Sequence, residues 1–153
     1  LESTVGKDGA RTSTGRAVSL KVDDRIKALL LIPENQLSTA KARKLLPETI
    51  SHQDAVLNSS RSALLVHALA ERPDLLFTAT EDALHQKYRE QAMPKTIALM
   101  EKLRGAGLAA VVSGAGPSVM VLYSGAEDEI DQLQSVAPGF TAMKLAIAKT
   151  GVQ

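Results

Sequence analysis

The 153-residue sequence contains no cysteine and no tryptophan. Without cysteine there is no disulfide, no zinc–thiolate site and no thiol nucleophile. Aromatic residues make up only 3% of the chain, so few side chains could stack on bases or sugar rings. Charges nearly cancel, with 18 Lys and Arg against 17 Asp and Glu. That balance gives no electrostatic case for binding nucleic acid or an anionic membrane.

The sequence also lacks any long hydrophobic run. The longest, residues 28–32, is far too short to span a bilayer. The first five residues are mostly polar and do not have the basic and apolar regions of a signal peptide. We therefore expect a cytoplasmic protein. Because the polar start lies inside a stretch rich in Gly, Ser and Thr, we also expect the chain to be part of a longer polypeptide.

Hydrophobic periodicity divides the chain into a β-type start, a helical middle and a β-type end. Residues 1–15 are rich in Gly, Ser, Thr and charge, which predicts a loop or a disordered tail. Two β-type runs, 17–22 and 26–32, flank the turn-like pair Asp23-Asp24 and predict a hairpin. Three of the four predicted helices begin at a capping serine or threonine or at a proline, and Gly105 is placed to close the last one. They are 38–45, 54–71, 73–84 and 94–105.

After residue 108 the pattern becomes that of strands. Short apolar runs at 109–112 and 119–122 predict two strands, and 127–136 predicts an amphipathic helix. A last strand is predicted over 140–149, with Met143, Leu145 and Ile147 facing inward. Helices followed by strand, loop, strand, helix and strand indicate an α+β domain, with an antiparallel sheet covered by helices on one face.

The loop at 113–118, Ser-Gly-Ala-Gly-Pro-Ser, is the sharpest candidate for a functional site. Its two glycines permit backbone conformations and close approaches that larger side chains would block. Successive N–H groups in such a turn can form a concavity that attracts anions. A tight hairpin turn between two strands is the alternative reading. The hairpin accounts for the glycines, but less well for Ser113, Pro117 and Ser118.

Arginines at 43 and 89 are the second candidate feature. Thr39 precedes Arg43 by four residues, so both would share a face of a helix. An arginine presents a planar fork that suits a carboxylate, and two that converge would fit a substrate with an α-carboxylate. For either one alone, a solvated arginine on a helix surface is the simpler reading. The three histidines have no partner at metal-ligand spacing, and no phosphate-loop fingerprint occurs.

Several of these segments together resemble a known family. Val-Ser-Gly-Ala-Gly-Pro-Ser-Val at 112–119 resembles the C-terminal signature of GHMP kinases, which phosphorylate small molecules such as galactose, homoserine and mevalonate. Segments 37–47, 58–61 and 84–89 are similar to homoserine kinases of that family, and 68–82 to their actinobacterial members. The resemblance runs in order over roughly residues 17–150.

This resemblance implies ATP-dependent phosphorylation of the L-homoserine hydroxyl, a step toward threonine, with Mg²⁺. Arg43 and Arg89 match the arginines that hold the homoserine carboxylate, and Thr39 matches a threonine near the transferred phosphate. The matched loop packs against the nucleotide phosphate site and shapes it. Its candidate nucleotide-binding residues here are Ser113, Gly114, Ala115, Gly116 and Ser118.

The chain departs from the family in one large respect. The N-terminal half of such a kinase should supply the main phosphate loop, of the type Pro-x-x-x-Gly-Leu-Gly-Ser-Ser-Ala-Ala, and no such segment occurs here. We therefore expect residues 1–33 to be a flexible tail and the last strands of that N-terminal domain, and 34–153 to be the C-terminal domain. Alone, the chain is expected to be inactive. In the complete enzyme the resemblance implies a homodimer.

Two rival readings remain open at this stage. Another GHMP kinase would share the glycine loop but not the paired arginines. A free-standing α+β ligand-binding or regulatory module would have its own start near residue 1. A structural interaction domain is a weaker third reading, because the chain has no aromatic or charged stripe to support it.

Overall fold

The structure is a computed structural model that describes residues 2–5, 11–14, 20–35, 37–125, 130, 133 and 137–148. Within these residues it has six strands, four α-helices and two 3₁₀ segments. The strands are β1 (Glu2–Val5), β2 (Arg11–Thr14), β3 (Lys27–Pro33), β4 (Ala109–Val112), β5 (Val119–Tyr123) and β6 (Phe140–Leu145). The helices are α1 (Thr39–Lys44), α2 (His52–Ala70), α3 (Leu76–Ala79) and α4 (Pro94–Gly105), and the 3₁₀ segments are Pro73–Leu75 and Lys87–Ala92.

Four strands form the main sheet, in the order β4-β5-β3-β6, and every neighbouring pair is antiparallel. Strand β3 is central, so that Leu29 lies opposite Val121 on one side and Lys144 on the other. Because β3 and β4 are both antiparallel to β5, they run parallel to each other with β5 between them. The chain between β3 and β4 contains α1 to α4, and α4 leads directly into β4, so the two strands form a split β-α-β arrangement with a long helical connection. The predicted α+β domain with an antiparallel sheet is confirmed.

The main core lies between this sheet and α4. Leu29, Leu31 and Val121 from the sheet pack with Ile97 and Leu103 of α4, and all five are almost fully buried. A smaller cluster covers one end of the other sheet face, where α2 and α3 pack. Its buried members are Ile26, Ala68, Leu76, Ala79 and Ala109. The 3₁₀ segment 87–92 directly precedes α4, and the loop after β4 contacts Arg89 and Thr96, so both lie at the beginning of α4.

Local chemistry explains where the helices begin and end. The Ser38 hydroxyl accepts from the Lys41 amide at 3.1 Å and caps α1, and Ser51 caps α2 in the same way. Helix α4 begins with Pro94, as predicted. It ends in a Schellman motif in which the Leu108 amide donates to the Leu103 carbonyl. The glycine with positive φ in that motif is Gly107 and not the expected Gly105.

Three predicted elements differ from the structure. Residues 2–5 and 11–14 form an antiparallel hairpin, so the prediction of a loop is wrong for them. Residues 20–22 are irregular, and therefore β3 has no hairpin partner in the described part of 17–22. The predicted helix 73–84 ends at residue 79 because the chain then turns back toward α2. There the side-chain Oδ1 of Asn58, on α2, accepts from the Ala83 amide at 3.0 Å.

The alternation of the last strand has the opposite phase over 140–145, whereas Ile147, just beyond the strand, is half-buried and packs against the smaller cluster as predicted. Met143 and Leu145 were expected to face inward, but they are 47% and 36% exposed. Phe140 and Ala142 pack against the main core instead. The phase follows from pairing with β3, in which Ala142 lies opposite the buried Leu31. The predicted helix 127–136 lies outside the described residues, apart from buried Ile130 and half-buried Leu133.

The division of the chain after residue 33 remains a prediction. The pairing of β3 with both β5 and β6 argues for a boundary before residue 27, because the main sheet would otherwise lose its central strand. None of the described helices has the length and apolar character needed to cross a membrane.

Candidate functional site

The glycine loop, residues 113–118, connects β4 and β5 as the strand pattern predicts. The Ser113 amide donates to the Ser118 carbonyl at 2.8 Å, and the Gly116 amide donates to the Ser113 carbonyl at 3.0 Å. Both glycines have positive φ, 58° at Gly114 and 88° at Gly116. A residue with a side chain would be strained at either position, so the turn itself requires the two glycines.

Space restricts Gly116 further. A Cβ at this position would lie 2.5 Å from the Met93 sulfur, whereas a Cβ at Gly114 would meet nothing within 4 Å. The peptide bond that joins Gly116 to Pro117 is cis. The Pro117 carbonyl accepts from the Thr96 hydroxyl at 2.7 Å. The second half of the loop therefore packs against the start of α4, while Gly114 faces open space.

The loop retains polar backbone groups that a ligand could use. No described residue accepts a hydrogen bond from the amides of Gly114 or Ala115. Gly114 is exposed, and Ser113, Ala115 and Ser118 are half-buried. The hairpin reading and the anion-binding reading are therefore compatible. The loop is a tight turn, and two of its backbone amides have no acceptor among the described residues.

Arg89 lies against this loop from the 3₁₀ segment 87–92. Only 6% of the residue is exposed, and its Nη1 donates to the Gly114 carbonyl at 2.9 Å. The Nε atom is buried, and no described residue accepts its hydrogen. A solvated surface arginine was the simpler reading from the sequence, and that reading is wrong. A buried guanidinium with an unused donor favours an acceptor supplied from elsewhere.

A cavity of about 280 Å³ opens beside Arg89. Its walls combine the guanidinium with the edge of β4, the glycine loop and a polar turn that precedes the 3₁₀ segment. The lining residues are Asp82, His85, Gln86, Arg89, Val111, Val112 and Gly114.

Asp82 organises that polar turn. Its carboxylate accepts from the amides of Leu84, His85 and Gln86 at 2.7–3.3 Å, and from His85 Nδ1 at 2.9 Å. Burial alone would raise the pKa of Asp82. The hydrogen bonds from the Gln86 and His85 amides and from the His85 ring outweigh burial, so the pKa is lowered from its ordinary value of 3.8. Asp82 is therefore an ionised cap of the turn that carries Gln86.

Thr39 and Arg43 lie on a different element from Arg89. Thr39 is the first residue of α1 and Arg43 lies in its last turn, and both are exposed. Among the described residues, Arg43 is not one of those that line the cavity beside Arg89. The convergence of the two arginines on one ligand remains a prediction.

Sequence reasoning matched segments 58–61 and 84–89 to the family but gave no role to the residues in them that hold the polar turn in place. Arg61 pairs with Glu81 at 2.6 Å, and Asn58, one helical turn earlier on α2, accepts from the Ala83 amide. Gln86 accepts from the Val112 amide at 2.6 Å. The i, i+3 spacing of Asn58 and Arg61, which places both on one face of α2, was the available signal.

Comparison with known proteins supports the family that the glycine loop resembles. A family model described as GHMP kinases C terminal matches residues 60–139, more than half of the chain. The chain belongs to this family. Within it, a homoserine kinase of Streptomyces coelicolor is 43% identical over 141 residues, which is 92% of this chain and 45% of that protein. A homoserine kinase of Rhodococcus opacus is 48% identical over 143 residues, 92% of this chain and 46% of that protein.

Solved structures give the same fold. A crystal structure of homoserine kinase from Cytophaga hutchinsonii matches with a TM-score of 0.72 at 23% identity, and covers 86% of this chain and 44% of that one. At this identity the match bears on the fold alone. The chain spans less than half the length of the curated relatives.

Proposed function

We propose that this chain is the C-terminal half of a homoserine kinase, which transfers the γ-phosphate of ATP to the side-chain hydroxyl of L-homoserine. The observation that carries the proposal is Arg89, a buried arginine beside a cavity at the glycine loop. The relatives named above are homoserine kinases, which supports homoserine as the substrate.

Arg89 suits the α-carboxylate of an amino acid. It makes no ion pair with a described carboxylate, and Asp82, which lines the same cavity, is occupied with the amides of its own turn. A ligand carboxylate would supply the missing negative charge and accept a charge-assisted hydrogen bond. In this proposal Arg43 supplies the second fork from α1. Thr39, on the same exposed face, lies near the hydroxyl that is phosphorylated.

The glycine loop would contribute to the nucleotide site. The amides of Gly114 and Ala115, which have no acceptor among the described residues, suit a phosphate oxygen, because backbone N–H groups in a turn attract anions. Ser113 and Ser118 frame these donors, and Gly116 allows the close packing on Met93 that fixes the turn. ATP, when bound, supplies the phosphoryl group. The role of the loop is then to orient the phosphates and shape their pocket.

Such a kinase requires Mg²⁺, and the described residues do not form a site for it. Among the described residues, no group of three or more His, Asp or Glu side chains could hold a metal ion. We therefore assign the Mg²⁺ ligands and the main phosphate loop to the N-terminal half, and we expect the 153 residues alone to have no kinase activity. The complete enzyme is proposed to act in the cytoplasm as a homodimer.

The proposal is tested by replacing the two arginines in the complete enzyme. Arg43→Ala or Arg89→Ala should each remove a charge-assisted bond worth about 2–3 kcal/mol, which lowers kcat/KM for homoserine by roughly 30- to 150-fold. Lysine at either position should restore only part of the loss, because a point charge cannot reproduce the fork. The KM for ATP should change little.

Arg72 offers the matched control. It is an exposed arginine that pairs with Asp74 at 2.7 Å, away from the cavity. Arg72→Ala should leave the kinetics with homoserine unchanged. Parental kcat/KM in both Arg43→Ala and Arg89→Ala would refute the carboxylate role. Turnover by the 153 residues alone, with contaminating kinase excluded, would show that the nucleotide site is misplaced.

A further inference from the structure

Gln86 connects two parts of the site that are distant in sequence. It is 8% exposed, and its Oε1 accepts from the Val112 amide at 2.6 Å, 26 positions away. Val112 is the last residue of β4, directly before the glycine loop. Gln86 thus holds the polar turn against the point where the loop begins.

The fold explains why this amide needs a side-chain partner. Strand β4 is at the edge of the sheet, with β5 on one side only. The Ser113 amide donates to the Ser118 carbonyl and therefore points toward β5. Successive amides of a strand point to opposite sides, so the Val112 amide points away from β5. Val112 is buried, and an unpaired buried amide is costly. The Gln86 side chain therefore accepts from a buried amide, that of Val112, which no described strand pairs with.

Arg89 follows Gln86 by three residues in the same short segment. Its bond to the Gly114 carbonyl lies two residues beyond the bond of Gln86 to Val112. One segment therefore contacts β4 and the glycine loop through two side chains. The carboxylate of Asp82 fixes the start of this segment by accepting from the Gln86 amide at 2.7 Å. Displacement of Gln86 would shift Arg89 relative to the loop.

We propose that Gln86 is a positioning residue for Arg89. Its bond to Val112 sets the distance between the Arg89 guanidinium and the glycine loop, and so the geometry in which a substrate carboxylate is held. This inference rests on the proposed role of Arg89 as the carboxylate-binding residue. Gln86 itself need not touch the substrate, and its effect passes through the segment it shares with Arg89.

The test uses the complete enzyme with Gln86→Met, which removes the acceptor at similar volume. We expect the KM for homoserine to rise on the order of tenfold, with the KM for ATP unchanged, because small displacements of a positioning group weaken the productive complex. Gln86→Glu keeps an oxygen acceptor at the same reach but adds a carboxylate to the cavity that Arg89 lines, so it tests the bond to Val112 by hydrogen exchange and not by the KM. Gln91→Met, an exposed glutamine in the same 3₁₀ segment, is the matched control.

Two further measurements separate positioning from a general loss of structure. Hydrogen exchange of the Val112 amide should be about tenfold faster in Gln86→Met and unchanged in Gln91→Met. In an Arg89→Ala background, Gln86→Met should raise the KM for homoserine no further, because the residue it positions is gone. If Gln86→Met does not fold, Gln86→Asn, which is too short to reach Val112, should give the same results.

The outcomes distinguish this inference from the proposed function. A raised KM in Arg89→Ala with a parental KM in Gln86→Met would overturn the role of Gln86 alone. The role of Gln86 would also be overturned if Gln86→Met raised the KM for homoserine by the same factor in the Arg89→Ala background. A parental kcat/KM and a parental KM in Arg89→Ala would overturn the carboxylate role of Arg89 and with it the role of Gln86, whatever hydrogen exchange shows for Val112.

Discussion

Replacement of Gly116 by alanine should destabilise the domain more than the same change at Gly114. Both residues have positive φ, which costs a residue with a side chain about 1–2 kcal/mol. At Gly116 the new methyl group would also lie 2.5 Å from the Met93 sulfur and 3.2 Å from a Val112 methyl. Gly114 has no such neighbour and isolates the backbone contribution.

The steric contribution depends on how easily Met93 can move. Its sulfur lies toward the end of a flexible side chain, but the residue is only 4% exposed and belongs to the main core. A shift of Met93 therefore disturbs packed neighbours, and overpacking of this kind costs about 1–3 kcal/mol. We expect a total loss of roughly 2–5 kcal/mol for Gly116→Ala and about 1–2 kcal/mol for Gly114→Ala.

Thermal unfolding of the complete enzyme measures the difference. For a domain of this size about 1 kcal/mol corresponds to roughly 2–4 °C in Tm, so Gly116→Ala should unfold several degrees below Gly114→Ala. In a Met93→Ala background the extra cost at Gly116 should disappear, because the opposing sulfur is gone. Equal Tm values for the two alanine variants, with Met93 intact, would refute the steric argument.

Two further predictions concern groups that hold the polar turn and α4. Asp82→Asn should lower the free energy of unfolding at pH 7 by about 1–3 kcal/mol. Folding lowers the pKa of Asp82, so this contribution to stability is present above pH 3.8 and is lost as the pH falls further. The free energies of unfolding of the parental protein and Asp82→Asn should therefore converge in acid denaturation. A difference that stays constant with pH would contradict the prediction. Arg104→Met should lower the free energy of unfolding in urea by about 2–3 kcal/mol, because it removes the donor to the Phe77 and Ala110 carbonyls and to the Thr80 hydroxyl. The KM for homoserine should not change. An unchanged midpoint of urea unfolding would contradict the prediction.

The sequence predicted those features that depend on neighbouring residues. The two short apolar runs and the glycines between them are local signals, and they correctly predict β4, β5 and the loop. The capping residue Ser38 and the helix-starting Pro94 are equally local signals, and they correctly mark the starts of α1 and α4. At β6 the alternation was recognised, but its phase depends on pairing with β3, more than a hundred residues earlier.

The candidate site was less accessible because long-range bonds build it. Arg89 looked like a surface residue, since nothing near it in sequence shows that Gln86 reaches Val112 or that Asn58 receives the Ala83 amide. These bonds fold the segment after α3 back onto the sheet, and they bury the guanidinium. Only the family resemblance indicated that this arginine has a special role. The structure adds the contacts that place it.

The central position of β3 has a consequence for how the domain is made. Its partners β5 and β6 begin at residues 119 and 140, on the order of 100 residues after β3 ends. At ribosomal rates of about 5–20 residues per second, β3 is synthesised roughly 5–20 s before its neighbours. The helices between them form from local contacts and can cover Leu29 and Leu31 during this interval. The sheet therefore closes last, and its closure is the slow, non-local step of folding.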